Sequence, residues 1–190
     1  MPIRVALIGA GSMGGGMALH LAELSTYEVI AYDSWEPGLA QFTASYEEVC
    51  KNQSMIARQR SIKNLSDIAS DAFVPDVVIF MVVNSKQISD ILFSTINNGD
   101  TYLSTLSRNT TILIQSTCSP SDVLSIAEKI QSSYSTNPSD APSLIDAPVS
   151  GGPVKARAGT MSIMMSQQTA PSGSDIPKYL QVLRSLSAEV

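Results

Sequence analysis

The sequence predicts an α/β fold: a doubly wound, mainly parallel sheet with helices on both faces. Three observations carry that expectation. The apolar run Val5, Ala6, Leu7, Ile8 leads into Gly9, Ala10, Gly11, Ser12, Met13, Gly14, a G-x-G-x-x-G turn between strand-like and helix-like segments. Short apolar runs at 29–33, 77–83, 111–115 and 144–147 alternate with segments of helical spacing. Asp33 closes the second run 19 positions beyond Gly14, near the spacing of a ribose-binding carboxylate in such folds.

The chain has 190 residues, 44 % hydrophobic and 15 % charged, which suits one globular domain over 1–190. Its formal net charge of -5 does not suit a nucleic-acid surface. Cys50 and Cys118 lie far apart and His20 is the single imidazole. No metal site is expected from such a set, and the thiols read as free in a reducing compartment. The apolar runs are too short to span a membrane and no leader segment is recognised. A cytoplasmic location is therefore expected.

Taken in order, residues 3–8 read as a strand covered on both faces, because the run is apolar apart from Arg4 near its start. In the turn, Gly9 permits the sharp bend, Gly11 a close backbone approach to a pyrophosphate, and Gly14 helix-to-strand packing. The helix that follows, over about 12–24, offers unpaired N–H groups at its start. Met13, Met17, Leu21 and Leu24 recur at helical spacing and face the sheet. His20 has no acid or cysteine beside it in the sequence and reads as a packing or surface residue.

Asp33 at the end of the second strand can accept hydrogen bonds from adenosine ribose hydroxyls and repel a 2′-phosphate. Neither Ser34 nor Trp35 offers that phosphate a cation, so NAD is favoured over NADP. The alternative for Asp33 is a turn former ahead of Pro37 and Gly38. Leu39, Phe42, Tyr46, Val49 and Cys50 form a helical stripe, while Arg58 and Arg60 either reach phosphate or face solvent. A short helix is predicted over 65–69.

The run at 77–83 is the strongest strand signal, followed by a helix over 86–93 and a turn at 97–100. A strand over 111–115 precedes a helix opening near Pro120 and reaching about 134. Val83, Asn84, Ser116 and Thr117 then fall at the ends of parallel strands, where ligands bind; Ser116 and Ser119 also suit helix capping. After a connector at 135–142 and a strand over 144–147 comes Pro148, Val149, Ser150, Gly151, Gly152, Pro153. This turn either presents N–H groups and a hydroxyl to a carboxylate or is an ordinary turn. A last strand over 161–165, a polar loop over 167–175 and a closing helix over about 176–188 complete the chain, with right-handed crossovers.

Two of these motifs resemble the β-hydroxyacid dehydrogenase family, which includes 3-hydroxyisobutyrate, tartronate semialdehyde and threonate dehydrogenases; 6-phosphogluconate dehydrogenases are more distant relatives. Residues 9–18 are similar to the family's cofactor signature. Asp146, Ala147, Pro148, Val149, Ser150, Gly151, Gly152, with Ala156, Gly159 and Thr160, are similar to its substrate signature. The resemblance spans about residues 3–188 and implies a Rossmann-like domain. It implies that Gly9, Ala10, Gly11, Ser12, Met13 and Gly14 hold the pyrophosphate and Asp33 the adenosine ribose. Val82 and Val83 line the nicotinamide side, with Val83 where the family usually carries proline, and Thr117 approaches the nicotinamide ribose. Ser150, Gly151 and Gly152 hold the substrate carboxylate.

In that family the catalytic lysine and a nearby asparagine sit in a second, all-helical domain that also pairs the subunits. Neither is expected within 1–190, and Lys155, although beside the substrate turn, does not match the lysine's position. The resemblance thus implies the NAD-binding domain of a dehydrogenase of a small carboxylate-bearing 3-hydroxy acid. Such a domain is expected to be monomeric and poorly active alone, with no catalytic residue of its own. Two other readings stand beside it: a non-catalytic NAD-binding regulatory or scaffold protein, and an enzyme completed by another chain.

Overall fold

A strand covered on both faces sends alternate side chains into two separate cores, and the central strands do so here. The computed structural model describes residues 1–53, 60–62, 65, 73–97, 99–166 and 176–189. Its first half runs β1 (Ile3–Ile8), α1 (Ser12–Glu23), β2 (Tyr27–Tyr32), α2 (Glu36–Gln53), β3 (Arg60–Ile62), β4 (Val77–Phe80) and α3 (Ser85–Phe93). A small hairpin of β5 (Thr95–Asn97) and β6 (Asp100–Thr101) follows, then β7 (Thr111–Ile114), α4 (Pro120–Ser133) and β8 (Ser143–Asp146). The last part comprises β9 (Val149–Ser150), α5 (Gly152–Ala158), β10 (Met161–Ile163), α6 (Lys178–Leu186) and β11 (Ser187–Glu189).

The main sheet has the order β3-β2-β1-β4-β7-β8, and every neighbouring pair is parallel. The expected doubly wound, Rossmann-like architecture is present. Val5, Leu7, Val77, Ile79 and Leu113 pack with Met17 and Leu21 of α1 and Val182, Leu183 and Leu186 of α6. Their neighbours Ala6, Ile8, Val78, Phe80, Ile112 and Ile114 pack on the other face with Ile88, Leu92, Ile126 and Ile130 of α3 and α4. Strand order reverses between β1 and β4, so the crevice at their C-terminal ends is the switch point where ligands bind in open sheets.

Several boundaries differ from expectation. The runs read as 77–83 and 111–115 leave the sheet at Phe80 and Ile114, and Asp33 lies just past β2. The largest difference is over 149–163. Residues expected as a turn and a final strand form β9, helix α5 and β10, and β10 stays out of the main sheet. It pairs antiparallel with β9 and parallel with β11 instead. Strands of two or three residues carry no readable period, and Gly152–Pro153 hides a helix start, although proline fits a first turn. Gly16 lets α5 lie directly on α1: an added Cβ there would sit 3.2 Å from the Arg157 backbone nitrogen.

The helix read at 65–69, apart from Leu65, together with Arg58 and the loop at 167–175, lies outside the described residues. Cys50 lies in α2 and Arg60 in β3, and their side chains lie outside the description. No helix among the described residues is long and apolar enough to cross a membrane.

Candidate functional site

The three glycines of the first turn differ in what requires them. Gly9 has φ +101°, and a Cβ there would meet the Met81 carbonyl oxygen at 2.2 Å. At Gly14 a Cβ would lie 1.9 Å from the Gly9 carbonyl oxygen. Both positions are closed to a side chain by the protein itself. Gly11 is not: its φ is -66°, and nothing lies within 4 Å of an added Cβ. It is the N-cap of α1, which has no side-chain cap and no acid in its first turn. The first N–H groups of α1 are thus left for an external anion.

Gly11 opens on a cavity of 720 Å³ at the switch point, within the usual range for small-molecule and cofactor sites. Gly9, Ser12, Met13, Gly14 and Asp33 line it, with Val82 and Val83 from the loop after β4. Eight of the ten residues expected to touch the cofactor therefore meet there. Ala10 is buried in the core beneath the turn, and exposed Thr117 is not part of the lining. Among the described residues no lysine, arginine or histidine lines the cavity, whereas Asp33 and Asp90 do. Positive potential on the lining comes from the start of α1.

Asp33 also forms the turn that was its alternative reading, because Oδ1 accepts the Trp35 N–H at 2.8 Å. The β4–α3 loop is fixed by side chains. Val82 N–H donates to buried Ser116 Oγ at 2.8 Å, and that hydroxyl lies 3.3 Å from the Phe80 carbonyl it donates to. Val83 N–H donates to Gln87 Oε1 at 2.9 Å, a bond that proline could not make. Ser116 is therefore a loop anchor and not a cap, while Ser119 caps α4 and Asn84 caps α3.

Ser150 and Gly151 are exposed and, with Gly152, stand apart from the cavity lining. Gly151 and Gly152 have φ of +148° and +73°, and Gly152 opens on free space. The Lys155 side chain lies alongside Gly151, whose added Cβ would sit 2.9 Å from Cδ. His20 packs against Gly159, where a Cβ would come within 2.2 Å of Nε2; the packing reading of His20 holds. Lys178 Nζ donates to Asp76 Oδ1 at the opposite end of the sheet. Behind the substrate-like turn, burial pushes the Asp146 carboxyl up, and its Oδ1 has no partner among the described residues. Burial also raises the Cys118 thiol, with Asp146 and Asp122 adding negative charge.

The remaining lining was not anticipated. Gln87, Asp90 and Ile91 of α3 and its C-cap Ser94 also line the cavity, and their i, i+3, i+4, i+7 spacing is a helical stripe that periodicity could have revealed. Tyr32, Trp35 and Leu65 line it as well. Tyr32 and Trp35 flank an acid already singled out, whereas Leu65 carries no local signal.

The family profile described as the NAD binding domain of 6-phosphogluconate dehydrogenase matches residues 4–190. L-threonate dehydrogenase of Pectobacterium atrosepticum is 31 % identical over 193 residues, covering 98 % of this chain and 51 % of the relative. The 2-(hydroxymethyl)glutarate dehydrogenase of Eubacterium barkeri is 29 % identical, covering 88 % of this chain and 47 % of its own. The fold matches 3-hydroxyisobutyrate dehydrogenase of Mycobacterium tuberculosis with a TM-score of 0.67 at 20 % identity, over 100 % of this chain and 53 % of that one. The chain thus spans about half the length of the curated relatives it matches. A profile match over nearly the whole sequence, on a doubly wound parallel sheet, places the chain in the family of NAD-binding domains of 6-phosphogluconate dehydrogenase, as an NAD(P)-binding Rossmann-like domain.

Proposed function

We propose that this chain is the NAD-binding part of a dehydrogenase that oxidises a small 3-hydroxy acid. The observation that carries the cofactor reading is Gly11, a glycine that neither backbone strain nor packing requires, at an uncapped helix start facing the cavity. In this reading Gly9, Gly11, Ser12 and Met13 lie against the pyrophosphate, Gly14 keeps the turn closed, and Ala10 supports it from the core. Asp33 takes the adenosine ribose hydroxyls and disfavours a 2′-phosphate, so NAD is preferred over NADP. Val82, Val83 and Thr117 belong to the nicotinamide side. When bound, the cofactor supplies the hydride acceptor.

The substrate reading rests on Ser150, Gly151 and Gly152, whose exposed turn suits a carboxylate, and on the threonate and 2-(hydroxymethyl)glutarate dehydrogenases among the relatives. Proton removal from the hydroxyl needs a positioned base, and among the described residues the cavity lining holds no lysine or histidine. The 190-residue chain is accordingly expected to bind NAD and to turn over 3-hydroxy acids very slowly. The same lack of a base favours a second reading, an NAD-binding regulatory protein without turnover. Calorimetry with NAD and NADP, together with steady-state assays on L-threonate and 3-hydroxyisobutyrate, tests both parts. Tighter NADP binding contradicts the Asp33 assignment, and rapid turnover contradicts the missing base.

A further inference from the structure

Trp35 is the single tryptophan of the sequence, and it is 62 % exposed at the rim of the cavity. Leaving an indole in water forgoes apolar burial, so its position needs a cause. The backbone holds it there: its N–H donates to Asp33 Oδ1 at 2.8 Å, and its carbonyl accepts the N–H groups of Gly38 and Leu39 at 3.0 and 3.2 Å. The benzo edge of the ring rests on buried Gly38, where an added Cβ would lie 2.8 Å from Cε3. A glycine in α2 thus makes the seat, and the ring stands beside Asp33 with most of its surface open.

We propose that Trp35 is the stacking surface for the adenine ring of the bound dinucleotide. The assignment rests on the cofactor reading: if Asp33 holds the adenosine ribose, the attached base falls near a residue two positions on. A flat, uncharged base is the chemistry that an open indole face recognises. Leu65 and Ile91 add apolar lining, and among the described residues no cation in the lining reads a phosphate.

Because Trp35 is the only tryptophan, its emission reports the base directly. The purified chain is titrated with ADP-ribose, NAD and nicotinamide mononucleotide while emission is followed, and affinities are measured by calorimetry. ADP-ribose and NAD are expected to quench Trp35 along their binding curves, and nicotinamide mononucleotide to leave it unchanged. Trp35→Ala is expected to weaken ADP-ribose and NAD about tenfold, with Trp35→Phe recovering most of the loss. Gly38→Ala, which displaces the ring while favouring the helix, is expected to weaken both in the same direction. Unchanged NAD affinity in Trp35→Ala, or quenching by nicotinamide mononucleotide alone, overturns this inference and leaves the cofactor reading standing. Failure of the folded wild-type chain to bind NAD overturns both.

Discussion

Arg157 donates from both terminal guanidinium nitrogens to the carboxylate of Glu23, with Nη1 2.8 Å from Oε2. The pair joins α5, which opens at the Ser150–Gly152 turn, to α1, which opens at the Gly9–Gly14 turn. One rigid pair of helices therefore carries both glycine turns. The side chains are 41 % and 25 % exposed, which limits the contribution to about 1 kcal/mol. Arg157→Ala is expected to lower the unfolding free energy by that amount, read as a lower urea midpoint at unchanged slope.

The same pair sets a pH dependence. The hydrogen bond from Arg157 holds the Glu23 carboxyl below its ordinary value of 4.5, against the opposing effect of burial. A carboxyl depressed in the folded state contributes stability above its unfolded value and loses it as pH falls through the folded value. Wild-type stability is expected to decline below pH 4.5, and Glu23→Gln to flatten that decline. Equal acid slopes in urea titrations of the two proteins contradict the assignment.

The two glycines that differ most in surroundings give a paired test of stability. Gly14→Ala forces a Cβ against the Gly9 carbonyl and is expected to cost about 3 kcal/mol. Gly11→Ala meets nothing and is expected to cost no more than about 1 kcal/mol, the scale of a weaker N-cap. Thermal unfolding of both variants measures the difference, and equal losses contradict the packing account.

Asp33→Asn separates charge from turn formation. The amide oxygen can still accept the Trp35 N–H, so stability is expected to stay within about 0.5 kcal/mol of wild type. The repulsion toward a 2′-phosphate is removed, and the preference for NAD over NADP is expected to narrow about tenfold, the effect of about 1.4 kcal/mol. A preference that does not move shows that another group discriminates.

Two buried polar side chains predict gains in stability. Gln115 is fully buried, and neither amide atom has a partner among the described residues. The Tyr102 hydroxyl is in the same condition, and burial raises its pKa strongly. Removing a buried, unsatisfied polar group while keeping its volume is favourable. Gln115→Met and Tyr102→Phe are each expected to gain about 1 kcal/mol, read as a higher Tm; a lower Tm in both contradicts the account.

The legible parts of the chain were those where one physical demand dominates. β1, β4 and β7 could be read because a strand covered on both faces must be apolar through its centre, leaving Arg4 and Thr111 only near the strand starts. The Gly9–Gly14 turn could be read because three glycines, a strand and a helix meet at fixed spacing. The small sheet of β9, β10 and β11 could not, because its pairing depends on tertiary contact and not on period. The start of α5 was hidden by Gly152 and Pro153, whose local preference is for a turn. Ser116 was open to misreading as a cap because its bond to Val82 crosses between strands that are remote in sequence. The α3 wall of the cavity lay in plain periodicity but behind a helix whose other face is core.

In the proposed function the open space at Gly11 receives a dinucleotide. Calorimetric titration of the purified chain with NAD, in wild type and Gly11→Ala, tests it most directly. Saturable one-to-one binding is expected in wild type, weakened at least about tenfold (about 1.4 kcal/mol) in a Gly11→Ala protein that remains folded. No binding by the folded wild-type chain, or equal affinity in the variant, would contradict it.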